Sequence, residues 1–202
     1  MKFSCSKIYF QRAVNLAERV SGKSQTLPIL SSLFVKAENN KVLVSSTNLE
    51  VGFEMSIPVK VEKEGAAVVP VKTLVPLLSS ISDETITIEG GENAIRVVSP
   101  SSSTNVKCLP VEEFPIIPRI KKERSFTIPA PLLSLSIRNI INAASTSYTR
   151  PELASIYMVS GEKGGMTFAA TDSFRLAEQK VDIGGLGASI LLPYKNAQEL
   201  LR

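Results

Sequence analysis

Apolar residues at helical spacing set out the first elements of this chain. Phe10, Ala13, Val14, Ala17 and Val20 form one stripe, with Gln11, Arg12, Asn15 and Arg19 on the other side. A short strand precedes this helix, and Ser21-Gly22 ends it. A second stripe, Leu74, Leu77, Leu78 and Ile81, predicts a helix over about 71–81, with Pro76 early enough to be tolerated or to kink it. Alternating runs predict strands over 33–37 and 41–45, joined by a Glu38-Asn39-Asn40 turn. A longer strand over 51–61 is interrupted by Pro58, which suits an edge or a bend. Runs over 85–89, 94–99 and 104–109 read as a meander, separated by Gly90-Gly91-Glu92-Asn93 and Pro100-Ser101-Ser102-Ser103.

The pattern then starts again. Phe3 recurs as Phe126, Phe10 as Leu133, Val14 as Ile137 and Ala17 as Ile140, always 123 positions on. Leu27-Pro28-Ile29-Leu30 recurs as Arg150-Pro151-Glu152-Leu153, and Pro70-Val71-Lys72 as Pro193-Tyr194-Lys195. Thr47-Asn48 recurs as Thr171-Asp172, one residue out of step. Two copies of one unit are expected, the second opening with its own strand and a helix over roughly 131–144 that carries Arg138 outward. Each unit is two helices laid on antiparallel sheet, an α+β architecture. The expected division is a first domain over 1–118, a linker over 119–124 and a second domain over 125–202. A first copy of 123 residues leaves 79 for the second, so the second is expected to be incomplete.

Composition narrows the chemistry. The hydrophobic fraction of 44% supports real cores, and no apolar run approaches the length of a membrane span. The opening residues lack the apolar stretch of a signal peptide, and Cys5 and Cys108 are two thiols far apart in sequence. Both features point to a reducing cytoplasm. Histidine is absent, which removes Ser-His and Cys-His nucleophile pairs and nearly every zinc site. Carboxylates are scattered, without a magnesium cluster. Neither a cofactor nor a metal is expected. The net charge of +4 permits a polyanionic partner.

Enzyme-like fragments are present but disordered. Ser4-Cys5-Ser6-Lys7 and Ser160-Gly161-Glu162-Lys163 match S-x-x-K, Thr171-Asp172-Ser173 faintly echoes S-D-N, and Lys72-Thr73-Leu74 echoes a broken K-T-G. Their order is wrong for a serine acyl-enzyme. Gly184-Gly185-Leu186-Gly187 has no Lys-Ser or Lys-Thr behind it and reads as a turn rather than a phosphate loop. A two-domain β-rich adhesion or carbohydrate-binding module is the rival from another class, and a secretion signal would favour it.

The most specific motifs lie elsewhere. Ala169-Ala170-Thr171-Asp172-Ser173-Phe174-Arg175-Leu176-Ala177 ends a strand in a polar turn, then exposes Phe174 and Leu176 beside Arg175. With Met1-Lys2-Phe3, Leu27-Pro28-Ile29-Leu30, Ser46-Thr47-Asn48-Leu49-Glu50, Leu109-Pro110-Val111-Glu112-Glu113-Phe114-Pro115 and Arg150-Pro151-Glu152-Leu153, the chain resembles the bacterial sliding clamp family, the β subunit of the replicative DNA polymerase III. The first, third and fourth of these match its opening, its first-domain T-D/N-L-E and its L-P-x-x-D/E-F-P, and the whole set runs in order along the chain.

The resemblance implies a non-catalytic processivity factor. Clamps of this family carry three copies of one domain per chain, and two chains close head to tail into a ring around duplex DNA. The helices would line the hole, where Lys7, Arg12, Arg19, Lys72, Arg138 and Lys195 would attract phosphates without reading sequence. Base-stacking aromatics are not expected on those faces. Lys23, in a loop where the family often carries basic residues, is a further candidate contact. A second implied site takes short Leu- or Phe-bearing peptides of polymerases, the clamp loader and repair proteins. Its wall would be Leu153, Thr171, Ser173, Phe174, Arg175 and Leu176. Phe174 stands where the family often has His, and Ser173 where it usually has Gly; both would narrow the pocket.

Overall fold

The computed structural model describes residues 1–22, 27–91, 93–118, 126–160, 165–183, 187 and 189–202. The chain divides into two compact units, Met1–Arg119 and Ile120–Arg202. In unit 1, β1 (Lys2–Ser6) leads into α1 (Lys7–Val20). Then come β2 (Ser32–Glu38), β3 (Lys41–Thr47), β4 (Gly52–Pro58), β5 (Lys60–Lys63) and β6 (Gly65–Pro70). After α2 (Val71–Ser80), the strands β7 (Thr85–Gly90), β8 (Ala94–Val98) and β9 (Ser103–Lys107) complete it. They form two antiparallel sheets, ordered β5-β1-β7-β8-β9 and β4-β3-β2-β6.

The apolar stripes do what their spacing predicts. Phe10, Ala13, Val14 and Ala17 of α1 and Val71, Leu74 and Leu78 of α2 are buried in one core with Phe3, Leu33, Ile86 and Ile88. Pro76 lies inside α2 without ending it. Lys7 Nζ donates to the Ile81 carbonyl at 2.8 Å, and Gln11 Nε2 donates to Ser79 Oγ at 3.1 Å. These two bonds set α1 and α2 side by side, running in opposite directions.

The strand expected over 51–61 is two strands in two different sheets. Pro58 ends β4 opposite Lys41, and Val59 N–H donates to the Asn40 carbonyl at 3.0 Å. The chain then leaves one sheet and joins the edge of the other as β5. A proline cannot continue the ladder as a donor, so the crossover falls there. β6 is an element the sequence pattern did not announce. Its run Gly65-Ala66-Ala67-Val68-Val69-Pro70 lacks alternation because Ala67, Val68 and Val69 are all buried.

Unit 2 contains α3 (Ala130–Ile140), β10 (Ser155–Ser160), β11 (Met166–Thr171), β12 (Leu176–Val181), β13 (Ser189–Pro193) and α4 (Tyr194–Leu200). Its sheet is antiparallel, ordered β12-β11-β10-β13. Ile156, Met158, Met166, Phe168 and Ala170 turn inward onto Ile137 and Ile140 of α3. The helix expected to 144 stops at Ile140, and a 3-10 turn over Ile141–Ala143 follows. The expected opening strand does not form: Phe126–Pro129 is not a strand, although Phe126 and Ile128 pack on the core. β1 of unit 1 is held between β5 and β7, and the described residues of unit 2 contain no counterpart of either. The linker expected over 119–124 lies outside the described residues.

The repeat holds down to single hydrogen bonds. Ser32 faces Pro70 across β2–β6, and Ser155 faces Pro193 across β10–β13, with a helix starting directly after each proline. Gly22 N–H donates to the Leu30 carbonyl at 2.8 Å, and Ser145 N–H to that of Leu153 at 2.9 Å. The one-residue slip opens in the β10–β11 connection and closes in the β12–β13 connection. The turns between β3 and β4 and between β11 and β12 are one structure. Thr47 Oγ1 donates to the Val51 carbonyl at 2.9 Å, and Thr171 Oγ1 to that of Arg175 at 2.7 Å. Asn48 Oδ1 accepts the N–H groups of Glu50 and Val51, and Asp172 Oδ1 those of Phe174 and Arg175. These amides, followed by the Arg175 guanidinium, hold the Asp172 carboxyl below the usual aspartate range. Its stabilising effect is present above the ordinary aspartate range and is lost as pH falls through the lowered value.

Between the two anchors the backbone turns left-handed, at φ +73° for Leu49 and +79° for Ser173. A side chain there is strained and glycine is not. Ser173→Gly is therefore expected to stabilise unit 2 by about 0.5–1 kcal/mol, read as a rise in urea midpoint at unchanged slope. A lower midpoint would show that the Ser173 side chain holds the turn.

Candidate functional site

Five of the six residues expected to form a peptide-binding wall lie on or beside the β11–β12 turn. Phe174 is 98% exposed and Leu176 71%, an unusual state for large apolar side chains. Ser173 is exposed with them. Arg175 Nε donates to Asp172 Oδ2 at 2.9 Å, so its guanidinium is held at the turn rather than extended freely. The Thr171 hydroxyl is already used within the turn. Asp172, the side chain that organises the whole turn, was not among the expected site residues. Its signal was its place as the counterpart of Asn48. Leu153 is half-buried on a separate turn ahead of β10. Tyr157 faces Ala169 and Met158 faces Phe168, a register that carries Ser155 opposite Thr171. Leu153 and the exposed turn therefore sit at the same end of one sheet.

The surface extends beyond those six. Successive strand residues alternate faces, so residues 157, 169, 178 and 191 form one row on the side away from the core. Tyr157 and Leu191 of this row are exposed. Its counterparts in unit 1 are Phe34, Ser45, Glu54 and Val68. There the same face is covered by the chain itself. Leu109 N–H donates to the Val68 carbonyl at 2.9 Å, and Phe114 stacks on Phe34 with ring centroids 5.4 Å apart. Val68 is buried, packed with Ile29, Leu30 and Val111. Gly52 makes room for this cover: a Cβ there would lie 2.7 Å from Ile117 Cγ2. The repeat position of Gly52 in unit 2 is Leu176. One unit thus carries a gap filled by its own chain, and the other carries an exposed leucine. Tyr157 and Leu191 were legible only through this correspondence with Phe34 and Val68.

The expected basic residues divide. Arg12 and Arg19 lie two turns apart on the exposed stripe of α1, and Lys72 is exposed in the first turn of α2. The opposed run of the two helices brings Lys72 toward the Arg19 end. Lys7 departs from the expected free outward position: it is half-buried, its ammonium bound to the Ile81 carbonyl. Arg138 is exposed on α3. Lys195, second residue of α4, holds Nζ 4.3 Å above the Tyr148 ring, a cation–π contact that steers it. Lys23 lies outside the described residues. The expectation of a face without base-stacking aromatics does not hold, because Tyr9 is exposed on α1. Of the basic positions, Lys72 and Lys195 alone coincide in the repeat.

The enzyme-like fragments are engaged in structure. Ser4 Oγ shares a hydrogen bond with Thr87 Oγ1 at 2.9 Å, while Lys7 Nζ serves Ile81, so this Ser and Lys form no nucleophile–base pair. In the second S-x-x-K, Ser160 Oγ accepts the Gly187 N–H at 3.0 Å; residues 161–163 and 184–186 fall outside the described residues. Cys5 is buried, which pushes its thiol up to about 12, and burial also raises that of Cys108. Among the described residues no His, Cys, Asp and Glu side chains cluster as metal ligands, and no helix is long and apolar enough to cross a membrane.

Comparison with known proteins agrees with this geometry. Residues 1–118 match the family described as DNA polymerase III beta subunit, N-terminal domain. The beta sliding clamp of Halalkalibacterium halodurans is 27% identical over 99% of this chain and 56% of its own length. That of Streptomyces coelicolor is 29% identical over 96% of this chain and 53% of its own. The chain spans about half the length of the curated relatives it matches. The crystal structure of the DNA polymerase III subunit beta from Bartonella birtlesii, bound to griselimycin, superposes at a TM-score of 0.90. It is 28% identical and covers 100% of this chain and 56% of that one. The chain belongs to the DNA polymerase III β-subunit family, the bacterial sliding clamps.

Proposed function

We propose that this chain serves as the first two domains, 1–118 and 125–202 joined by 119–124, of a cytoplasmic DNA sliding clamp. It has no active site of its own. It acts by topology and tethering: a head-to-tail dimeric ring around duplex DNA cannot diffuse off, and partners dock on it through short peptides. The replicative polymerase, the clamp loader and repair proteins are the partner classes.

The observation that carries this reading is the open sheet end of unit 2. Phe174 and Leu176 stand in water where the matching end of unit 1 holds Gly52 under its own chain. Desolvating such exposed apolar groups is favourable, and a peptide with Leu or Phe anchors supplies matching surface. Leu153, Thr171, Ser173 and Arg175 frame the same end, with Tyr157 and Leu191 adjoining. Asp172 holds Arg175 at its edge, available to a peptide carbonyl or carboxylate.

The DNA-facing part of the reading rests on Arg12, Arg19, Lys72 and Arg138, with Lys195 above Tyr148 and with Lys23, which lies outside the described residues. Lys7, tied to Ile81, contributes field more than contact. Exposed cations without base-reading geometry favour phosphate contact, which is independent of sequence and steeply salt-dependent.

Two outcomes test this. Leu176→Asp is expected to weaken binding of a fluorescein-labelled hexapeptide carrying a Leu-Phe pair at least tenfold, with the circular dichroism spectrum unchanged. Equal binding by wild type and variant would place the peptide elsewhere. Reversal of Arg12, Arg19 and Arg138 to Glu is expected to lower affinity for duplex DNA at least tenfold and to flatten its dependence on salt. An unchanged salt slope, or preference for one sequence, would remove these helices from the DNA-binding face.

A further inference from the structure

Unit 1 holds an open pocket of about 380 Å³ between its sheet and its covering segment. Its walls are Phe34 and Leu43 of the sheet and Phe114 and Ile117 of the segment. That size matches small-ligand sites, and the apolar lining matches their usual composition. Two features make it more than a packing gap.

The first is Ser45, on the cavity wall. Its side chain is 2% exposed, and its Oγ has no hydrogen-bond partner among the described residues. A buried hydroxyl left unpaired is costly and rare in folded proteins. Its neighbours do not relieve it: Ser45 sits between Phe34 on β2 and Glu54 on β4. Ser46, next along the strand, is buried too but donates to the Ala17 carbonyl at 2.8 Å.

The second is charge. Glu54 and Glu112 both line the cavity and both are exposed, so they stand at its opening. Neither is ion-paired among the described residues. Lys36, two pairs further along β2, is bound to Glu38 and does not offset them.

We propose that this cavity is a binding site for a small cationic amphiphile: an apolar group carrying a protonated amine. The apolar body packs against the edges of the stacked Phe34 and Phe114 rings and against Leu43 and Ile117, the hydroxyl of Ser45 accepts a hydrogen bond from the amine, and Glu54 and Glu112 neutralise the charge. An anionic ligand of the same shape meets two carboxylates and is rejected. The site uses no residue of the exposed end of unit 2 and stands or falls independently of the peptide reading.

The test is a nitrogen–proton correlation titration of the full chain with 2-phenylethylamine and, in parallel, with phenylacetate, which has the same ring and the opposite charge. Expected are saturable shifts at residues 43–45 and 111–117 with the amine, and at least fivefold weaker binding of the acid. Glu54→Gln with Glu112→Gln, both exposed changes that leave the core untouched, should remove that preference. Ser45→Ala should weaken the amine while the fold, read from the remaining shifts, stays unchanged. Shifts centred elsewhere, no saturation by the amine, equal binding of amine and acid, or a preference that survives the double substitution would each overturn the assignment.

Discussion

A strand sends alternate side chains to opposite faces, so the helices can cover only one side of each four-stranded sheet. The other side must be shielded by more chain or left to water. Unit 1 shields it. The segment from Leu109 to Ile117 lies across the outer face, its backbone bonded to Val68 and its Phe114 ring against Phe34. Unit 2 repeats the pairing order, and among its described residues Tyr157, Leu176 and Leu191 on that face are exposed. The units differ on this face at Gly52 against Leu176 and at Val68 against Leu191.

The clearest sequence signals were those fixed by local chemistry. Helix stripes depend on spacing alone, and the buried sets of α1 and α2 follow it. The Thr-Asn and Thr-Asp pairs mark turns because their side chains satisfy the turn's own N–H groups, a requirement that survives repetition. Strand membership was harder to read. The run over 51–61 is continuous in pattern yet belongs to two sheets, since which sheet a strand joins is set by partners distant in the chain. The same reason explains residues 126–129, which match β1 in sequence and find no ladder.

The candidate site was legible where exposure of apolar groups follows a turn, as at Phe174 and Leu176. It was not legible where exposure depends on which segments pack across a strand. Tyr157 and Leu191 read as ordinary strand residues until they are set beside Phe34 and Val68. The basic set shows the converse limit. Lys7 matched the expected charge type and helix, yet the Ile81 carbonyl claims its ammonium because the C-terminal end of α2 comes within reach.

Two sheets with one pairing scheme therefore present unlike outer faces among the described residues, one covered by residues 109–117 and one exposed. The most direct measurement is paramagnetic relaxation of methyl groups by a soluble gadolinium chelate. The account requires strong broadening of the Leu176 and Leu191 methyls and sharp signals from Val68, the buried counterpart of Leu191. Equal broadening of Val68 and Leu191, or equal protection of both, would contradict it.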